Sequence, residues 1–339
     1  MPRISGYIEQ LLEGRSLSLE QAGDLLDRIF DGDVPEAQVA AFLTAMRVKG
    51  PTAPELAGLA ASLRSHAIAV DVDVDRLVDT CGTGGGRVKT FNVSTAAAIV
   101  AAGAGVYVAK HGNRGITSGF GSADVLEELG VKIDAVPGVV AECIRQARIG
   151  FMFAPVFHPA MKYVQPVRRA LGFRTVFNVL GPLANPAGAK RQVLGVGDEQ
   201  LMRLVIDALQ LLGAEYAMVV HAEGMDEIST LTSTRIFELR AGQVTEKRLN
   251  PRQLGIACAE IESLKAGDSH QSAAFIRNIL GGKESGPPRD IVALNAAAAI
   301  VAADLADDFP GAIEMAHKAI RSGSAAECLE KLIEISNKA

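Results

Sequence analysis

Residues 80–123 contain no Asp or Glu, although the chain has 39 acids in 339 residues and about five would be expected there. The same stretch holds Arg87, Lys89, Lys110 and Arg114. A second acid-free stretch runs from Cys143 to Gly197, where about six acids would be expected. It carries Arg145, Arg148, Lys162, Arg168, Arg169, Arg174, Lys190 and Arg191. A carboxylate beside a bound phosphate or carboxylate repels it, so clearing acids from two stretches of an acidic protein fits an anion site. Buried, alanine-rich segments of an α/β core also lack charge, and this reading stands beside the first.

The first stretch offers more than charge. Gly82, Gly84, Gly85 and Gly86 stand within five residues, directly after a predicted strand. Glycines so close let successive backbone amides turn toward one point and form an anion nest. Thr90-Phe91-Asn92-Val93-Ser94-Thr95 then opens an alanine-rich helix. The free N–H groups and positive end of a helix suit phosphate, while Ser94 and Thr95 are equally ordinary N-caps. No GxxxxGK[ST] occurs, and Arg87 stands where GxGxxG needs its third glycine, so neither a P-loop nor a dinucleotide fingerprint is supported. Lys110-His111-Gly112-Asn113-Arg114 follows a second predicted strand, at the end where α/β sheets place ligands. Lys110 can meet phosphate as a point charge and Asn113 can offer an amide. His111, beside glycine in a loop, reads as a structural donor ahead of a general base. Ser118 and then Ser122 lead into another helix.

The elements that must hold these residues are legible in outline. The first 66 residues read as helices only. Ser18-Leu19-Glu20-Gln21 and Thr52-Ala53-Pro54-Glu55 are capping boxes, and Val39, Phe42, Leu43 and Met46 form an apolar stripe between them. Beyond Val70, short β-like runs at 77–79, 106–109, 151–154, 192–196 and 216–221 alternate with helical patterns. Alternation of this kind predicts an α/β fold with a mostly parallel sheet. Residues 228–249 read as a polar hairpin, and helices are expected at 270–280, 289–305 and 309–336. Asp71, Asp73 and Asp75 suggest an EF-hand, but Arg76 and Gly82 stand where its glycine and glutamate belong.

Composition bounds the class. With 48% hydrophobic residues the chain can build a real core, and a net charge of −5 argues against a general nucleic-acid binder. The aromatic content is 5%, there is no Trp, and glycine is abundant at 34 residues. Cys81, Cys143, Cys258 and Cys328 have no metal or disulfide spacing, which suggests a reducing cytoplasm. The first residues look like an amphipathic helix and not an apolar leader, and Val93–Val108 is too short and glycine-broken to span a bilayer. A soluble protein is expected.

The run CGTGGG…TFNVSTAAA…KHGNRGITSGFGSADVLEELG strongly resembles the anthranilate phosphoribosyltransferase family. FAPVFHPAMKYVQPVRRALGFRTVFNVLGPLANPA and GMDEIS at 224–229 agree, and the similarity reaches NAAAAIVAA at 295–303, nearly the whole chain. The resemblance implies that the amine of anthranilate displaces diphosphate from 5-phosphoribosyl 1-diphosphate, with Mg2+. It implies a small helical bundle domain (residues 1–69 and about 158–178) hinged to a large α/β domain (70–157 and 179–339), usually as a homodimer through the helical domains.

By the same resemblance, Gly82, Gly85 and Gly86 surround the diphosphate. Thr90, Asn92, Val93, Ser94 and Thr95 belong to the phosphoribosyl segment, as do Lys110, His111, Gly112, Asn113, Arg114, Ser118 and Ser122. Ser94, Asp226 and Glu227 match Mg2+ ligands. Arg168 matches the arginine that meets the anthranilate carboxylate, with Gly82, Asn113, His158 and Pro182 nearby. No dedicated catalytic base is implied. Two departures stand out: Gly86 replaces the family's usual Asp, with Arg87 and Lys89 following, and Phe120 sits where a polar residue is common. A pyrimidine nucleoside phosphorylase shares the Lys-His cluster, but Asn113, the glycine loop and the Arg168 region favour the transferase. The Asp226-Glu227 pair and net charge argue against a non-catalytic nucleic-acid-binding relative.

Overall fold

The structure, a computed structural model, describes residues 4–115 and 119–338. Ser118 therefore lies outside the described residues. Helices α1 Ile4–Leu12, α2 Leu19–Phe30, α3 Glu36–Lys49 and α4 Ala53–Ser65 open the chain. Both expected capping boxes form, Ser18 with Gln21 and Thr52 with Glu55. The Glu55 carboxylate, fully buried, also accepts from Leu17 N and Lys49 Nζ at 2.8 Å each. One capping residue thus ties the entries of α2 and α4 to the end of α3.

Seven strands follow: β1 Val78–Gly82, β2 Val108–Gly112, β3 Ile149–Phe153, β4 Arg191–Gly195, β5 Tyr216–His221, β6 Thr234–Arg240 and β7 Gln243–Leu249. They form one sheet in the order β3-β2-β1-β4-β5-β6-β7, parallel through β5 and antiparallel beyond. Between them lie α5 Val93–Gly103, α6 Ser122–Glu128, α7 Pro137–Ala147, α8 Ala154–Phe157, α9 Gln165–Leu171, α10 Phe177–Leu180 and α11 Leu201–Leu211. The chain ends in α12 Ser269–Leu280, α13 Pro287–Ala302, α14 Phe309–Arg321 and α15 Ser324–Ser336.

Strand alternation divides the apolar residues between two layers. Val193, Met218 and Val220 join the cluster of α5, α13, α14 and α15. Leu194, Ala217 and Val219 turn the other way and join α1–α4 and α11. Val164, Val167, Val176 and Phe177 of the α9–α10 region belong to that second cluster. The helical bundle is therefore packed on one face of the sheet through α11 as well as through its own core.

Three expectations need correction. The strand after residue 106 continues to Gly112, so Lys110 and His111 are in it, paired opposite Phe151 and Met152, and do not follow it. The hairpin begins at Thr234 and not at residue 228. The helix expected over 309–336 is two, broken at Gly323, whose φ of 80° is left-handed and closed to most side chains.

Candidate functional site

The chain runs outward from β1 to β2 and β3, then returns to place β4 on the other side of β1. That reversal opens a crevice at the carboxyl ends of β1 and β4, where open α/β sheets bind ligands. Gly82 ends β1 opposite Gly195, which ends β4, and Thr83 N donates to Gly195 O at 2.9 Å. The glycine loop therefore starts at the switch point. A cavity of about 1050 Å3 extends from it toward the α9–α10 region.

Its sheet-side wall includes Gly82, Gly85, Thr90, Asn92, Ser94, Lys110, His111, Gly112, Asn113, Arg114 and Ser122. Asp226 and Glu227 arrive from the segment after β5, and His158 and Arg168 from the helical side. Gly86, Val93, Thr95 and Pro182 are not on the wall. Val93 and Thr95 are fully buried behind it, and Pro182 O accepts from Gln192 Nε2 at 2.6 Å. A Cβ at Gly86 would lie 2.8 Å from Gly224 O and 3.1 Å from Asp226 Oδ1, so a side chain here would press on the acidic segment.

The cap of α5 is Asn92, whose Oδ1 accepts from Thr95 N at 3.1 Å, and not Ser94 or Thr95. The Ser94 hydroxyl is thereby left toward the cleft, where Lys110 Nζ donates to it at 3.3 Å and to Thr80 O at 2.7 Å. Lys110 is 2% exposed. Burial lowers its pKa, and the Asp79 carboxylate opposes that shift. Asp79, also fully buried, accepts from His111 N and Gln192 Nε2 at 3.3 Å each. Sequence reasoning passed over Asp79; its position as the last acid before the glycine run was the available signal.

Asp226 Oδ2 accepts from Gly84 N at 3.0 Å, and Thr90 Oγ1 donates to Glu227 Oε1 at 3.4 Å. Burial raises both carboxyls, and Glu227, with Asp226 beside it, is pushed up to about 8. Two adjacent buried carboxylates of this kind gain from a divalent cation, and their oxygens, with the hydroxyl of Ser94, are the hard donors Mg2+ takes. Among the described residues no group of three or more His, Cys, Asp or Glu could hold a metal ion.

The cations differ in what they already hold. Arg114 binds Asp124 at 2.9 Å and Glu127 at 2.8 Å, so its charge is neutralised within the protein. Among the described residues Arg168 donates only to Gln165 Oε1, at 3.3 Å, and it lies 5.5 Å from the Phe177 ring centre. Among the described residues it has no carboxylate partner. Arg168 is half-buried and Arg169 exposed, and both line the cavity. Lys89, noted beside the glycine loop, also lines the cavity, as do Arg174 and Gln165, to which the sequence assigned no role. Arg174 did stand among the bases of the second acid-free stretch.

The His111 and His158 rings lie 5.0 Å apart, both buried. The Leu63 and Ala184 backbone approaches His158 without reaching hydrogen-bond geometry. Burial lowers both imidazoles, His111 to about 3 with His158 adding to the shift, and His158 to about 4. Both are neutral and weakly basic near neutrality, which suits them to walling an apolar ring and not to proton abstraction. A lowered folded pKa means the unfolded chain binds more protons between about pH 6.5 and 4, so stability falls as pH drops through that window. His158→Phe is expected to flatten the slope there, removing an acid penalty on the order of 3 kcal/mol at pH 4. Urea unfolding at a series of pH values measures it, and an unchanged slope would contradict the burial argument.

Comparison with known proteins places this geometry. Residues 74–326 match the glycosyl transferase family a/b domain, and residues 5–67 its helical bundle domain. An anthranilate phosphoribosyltransferase of Herpetosiphon aurantiacus is 49% identical over 95% of both chains. The solved anthranilate phosphoribosyltransferase of Thermus thermophilus superposes with a TM-score of 0.92 at 41% identity, covering 97% of this chain and 99% of that one. The Saccharomyces cerevisiae enzyme in complex with PRPP and Mg gives a TM-score of 0.90 at 29% identity, covering 99% and 98%.

Proposed function

Because the chain belongs to the glycosyl transferase family, among its anthranilate phosphoribosyltransferases, we propose the cleft beside the glycine loop as the place where its two substrates meet. The protein transfers the 5-phosphoribosyl group of 5-phosphoribosyl 1-diphosphate to the amine of anthranilate, releasing diphosphate and N-(5-phosphoribosyl)anthranilate. The observation that carries the orientation is the polarity of the cleft: the glycine loop with Asp226 and Glu227 at one wall, and Arg168 without a carboxylate partner at the other.

Displacement at an anomeric carbon proceeds through an oxocarbenium-like state while charge gathers on the leaving group. With Thr83 N and Gly84 N already bonded to Gly195 O and Asp226 Oδ2, the remaining amides of the glycine loop and the amino end of α5 are left to meet that charge. One Mg2+ held at Ser94 and a second held by Asp226 and Glu227 would supply further neutralisation of the diphosphate. Lys110 fixes the Ser94 hydroxyl through its 3.3 Å bond and brings its own charge to the cleft. Arg168 takes the anthranilate carboxylate with its guanidinium fork, over Phe177. His111, His158 and Asn113 border the ring. The aromatic amine is a neutral nucleophile that loses its proton late, so positioning replaces a dedicated base.

A homodimer in the cytoplasm completes the proposal. Leu12 and Val48, 70% and 83% exposed on α1 and α3, supply apolar surface for pairing through the helical domain. No helix among the described residues is long and apolar enough to cross a membrane. Loss of anthranilate fluorescence that requires PRPP, Mg2+ and protein together tests the activity. Phosphorolysis of thymidine or uridine instead would replace it with a nucleoside phosphorylase.

A further inference from the structure

Arg174 lies in the short link between α9 and α10. Val167, Val176 and Phe177 on either side of it are buried with α1–α4, so the link is rooted in the helical layer. Its guanidinium nevertheless crosses the cleft and rests on the glycine loop. A Cβ at Gly85 would come within 2.0 Å of Arg174 Nη1 and 2.9 Å of its Cζ. Gly85 also has φ +80°, a conformation side chains rarely adopt, so its backbone is left bare toward the guanidinium.

No ion pair or hydrogen bond is made by Arg174 among the described residues, whereas Arg114 in the same cleft is held by two carboxylates. Thr83 N and Gly84 N are already spent on Gly195 O and Asp226 Oδ2, but the guanidinium beside Gly85 is a cation with no such partner among the described residues, and an anion seated there would neutralise it. Arg168 sits six residues earlier against Phe177, so the two arginines address different parts of the cleft.

We propose that Arg174 binds the diphosphate group of the phosphoribosyl donor from the side opposite the glycine-loop amides, and so latches the helical layer onto the occupied loop. This rests on the assignment of the loop to that diphosphate. The guanidinium then grips the group that leaves, and its contact persists into the product diphosphate.

Inorganic diphosphate with Mg2+ is the direct probe, measured by calorimetry and as an inhibitor competing with PRPP. R174A is expected to weaken diphosphate binding at least about tenfold, as loss of a charged hydrogen bond does, with R174K recovering part of it. Affinity for ribose 5-phosphate and the KM for anthranilate should stay within about twofold. Unchanged diphosphate affinity in R174A would overturn the proposal. So would equal losses for diphosphate and ribose 5-phosphate, which mark a general change in cleft shape. Thermal unfolding of the variants at the wild-type temperature supports a local effect, and this exposed side chain leaves the core intact. Wild-type protein that neither binds diphosphate nor consumes anthranilate would remove the functional reading itself, an outcome separate from an insensitive R174A.

Discussion

Replacement of Arg168 by alanine is expected to raise the KM for anthranilate roughly 100-fold while moving that for PRPP less than about threefold. Arg168 has one neutral side-chain partner, Gln165 at 3.3 Å, and burial lowers its pKa without a nearby carboxylate to compensate. A half-buried guanidinium in that position gains most from an anion that brings both its oxygens to the fork. Alanine removes the fork and the cover over Phe177, and Arg168→Lys restores charge without bidentate geometry, so its KM should fall between the two. Steady-state kinetics with each substrate varied gives the answer. Equal effects on the two KM values would reject Arg168 as the carboxylate partner.

Asp226→Asn should cost about two orders of magnitude in rate at low Mg2+ and recover partly as Mg2+ is raised. The isosteric amide keeps an oxygen to accept from Gly84 N, which Asp226 Oδ2 meets at 3.0 Å, so the loop contact survives and the lost charge is isolated. Glu227 remains to hold the cation more weakly, hence the rescue. A Mg2+ titration of the rate in variant and wild type distinguishes the cases. Normal activity of the variant at every Mg2+ concentration would count against ligation by this pair.

Much of the scaffold was readable because its signals are local. Ser18, Gln21, Thr52 and Glu55 satisfy amides within their own turns, so both capping boxes could be read from spacing. Tyr216–His221 emerged with its bounds correct because an apolar run buried on both faces admits little else. The Lys110–His111 segment misled for a physical reason. Polar residues usually follow a strand, yet here Asp79 and Thr80 of the neighbouring strand and Ser94 of α5 supply partners, and pairing opposite Phe151 and Met152 continues past the apolar run. Asn92, just ahead of the two hydroxyls that looked like caps, took the cap itself.

In the residue string, glycines crowd into one turn and acids vanish from two stretches, a pattern that fits a phosphate site as well as a plain alanine-rich core, and the family motifs favour the first. The sequence by itself also determined the α/β alternation and the helical opening. Only the tertiary structure decided which cations are available. Arg114 and Arg168 look alike in a string of residues, but one is neutralised by Asp124 and Glu127 and the other has no carboxylate beside it. Likewise only the fold carries Arg174 across the cleft to Gly85, a residue far from it along the chain. Spacing reports what neighbours within a few residues can do. Charge balance depends on every group within a few ångströms, and that neighbourhood exists only after the sheet reverses at β1 and the helical layer closes over it.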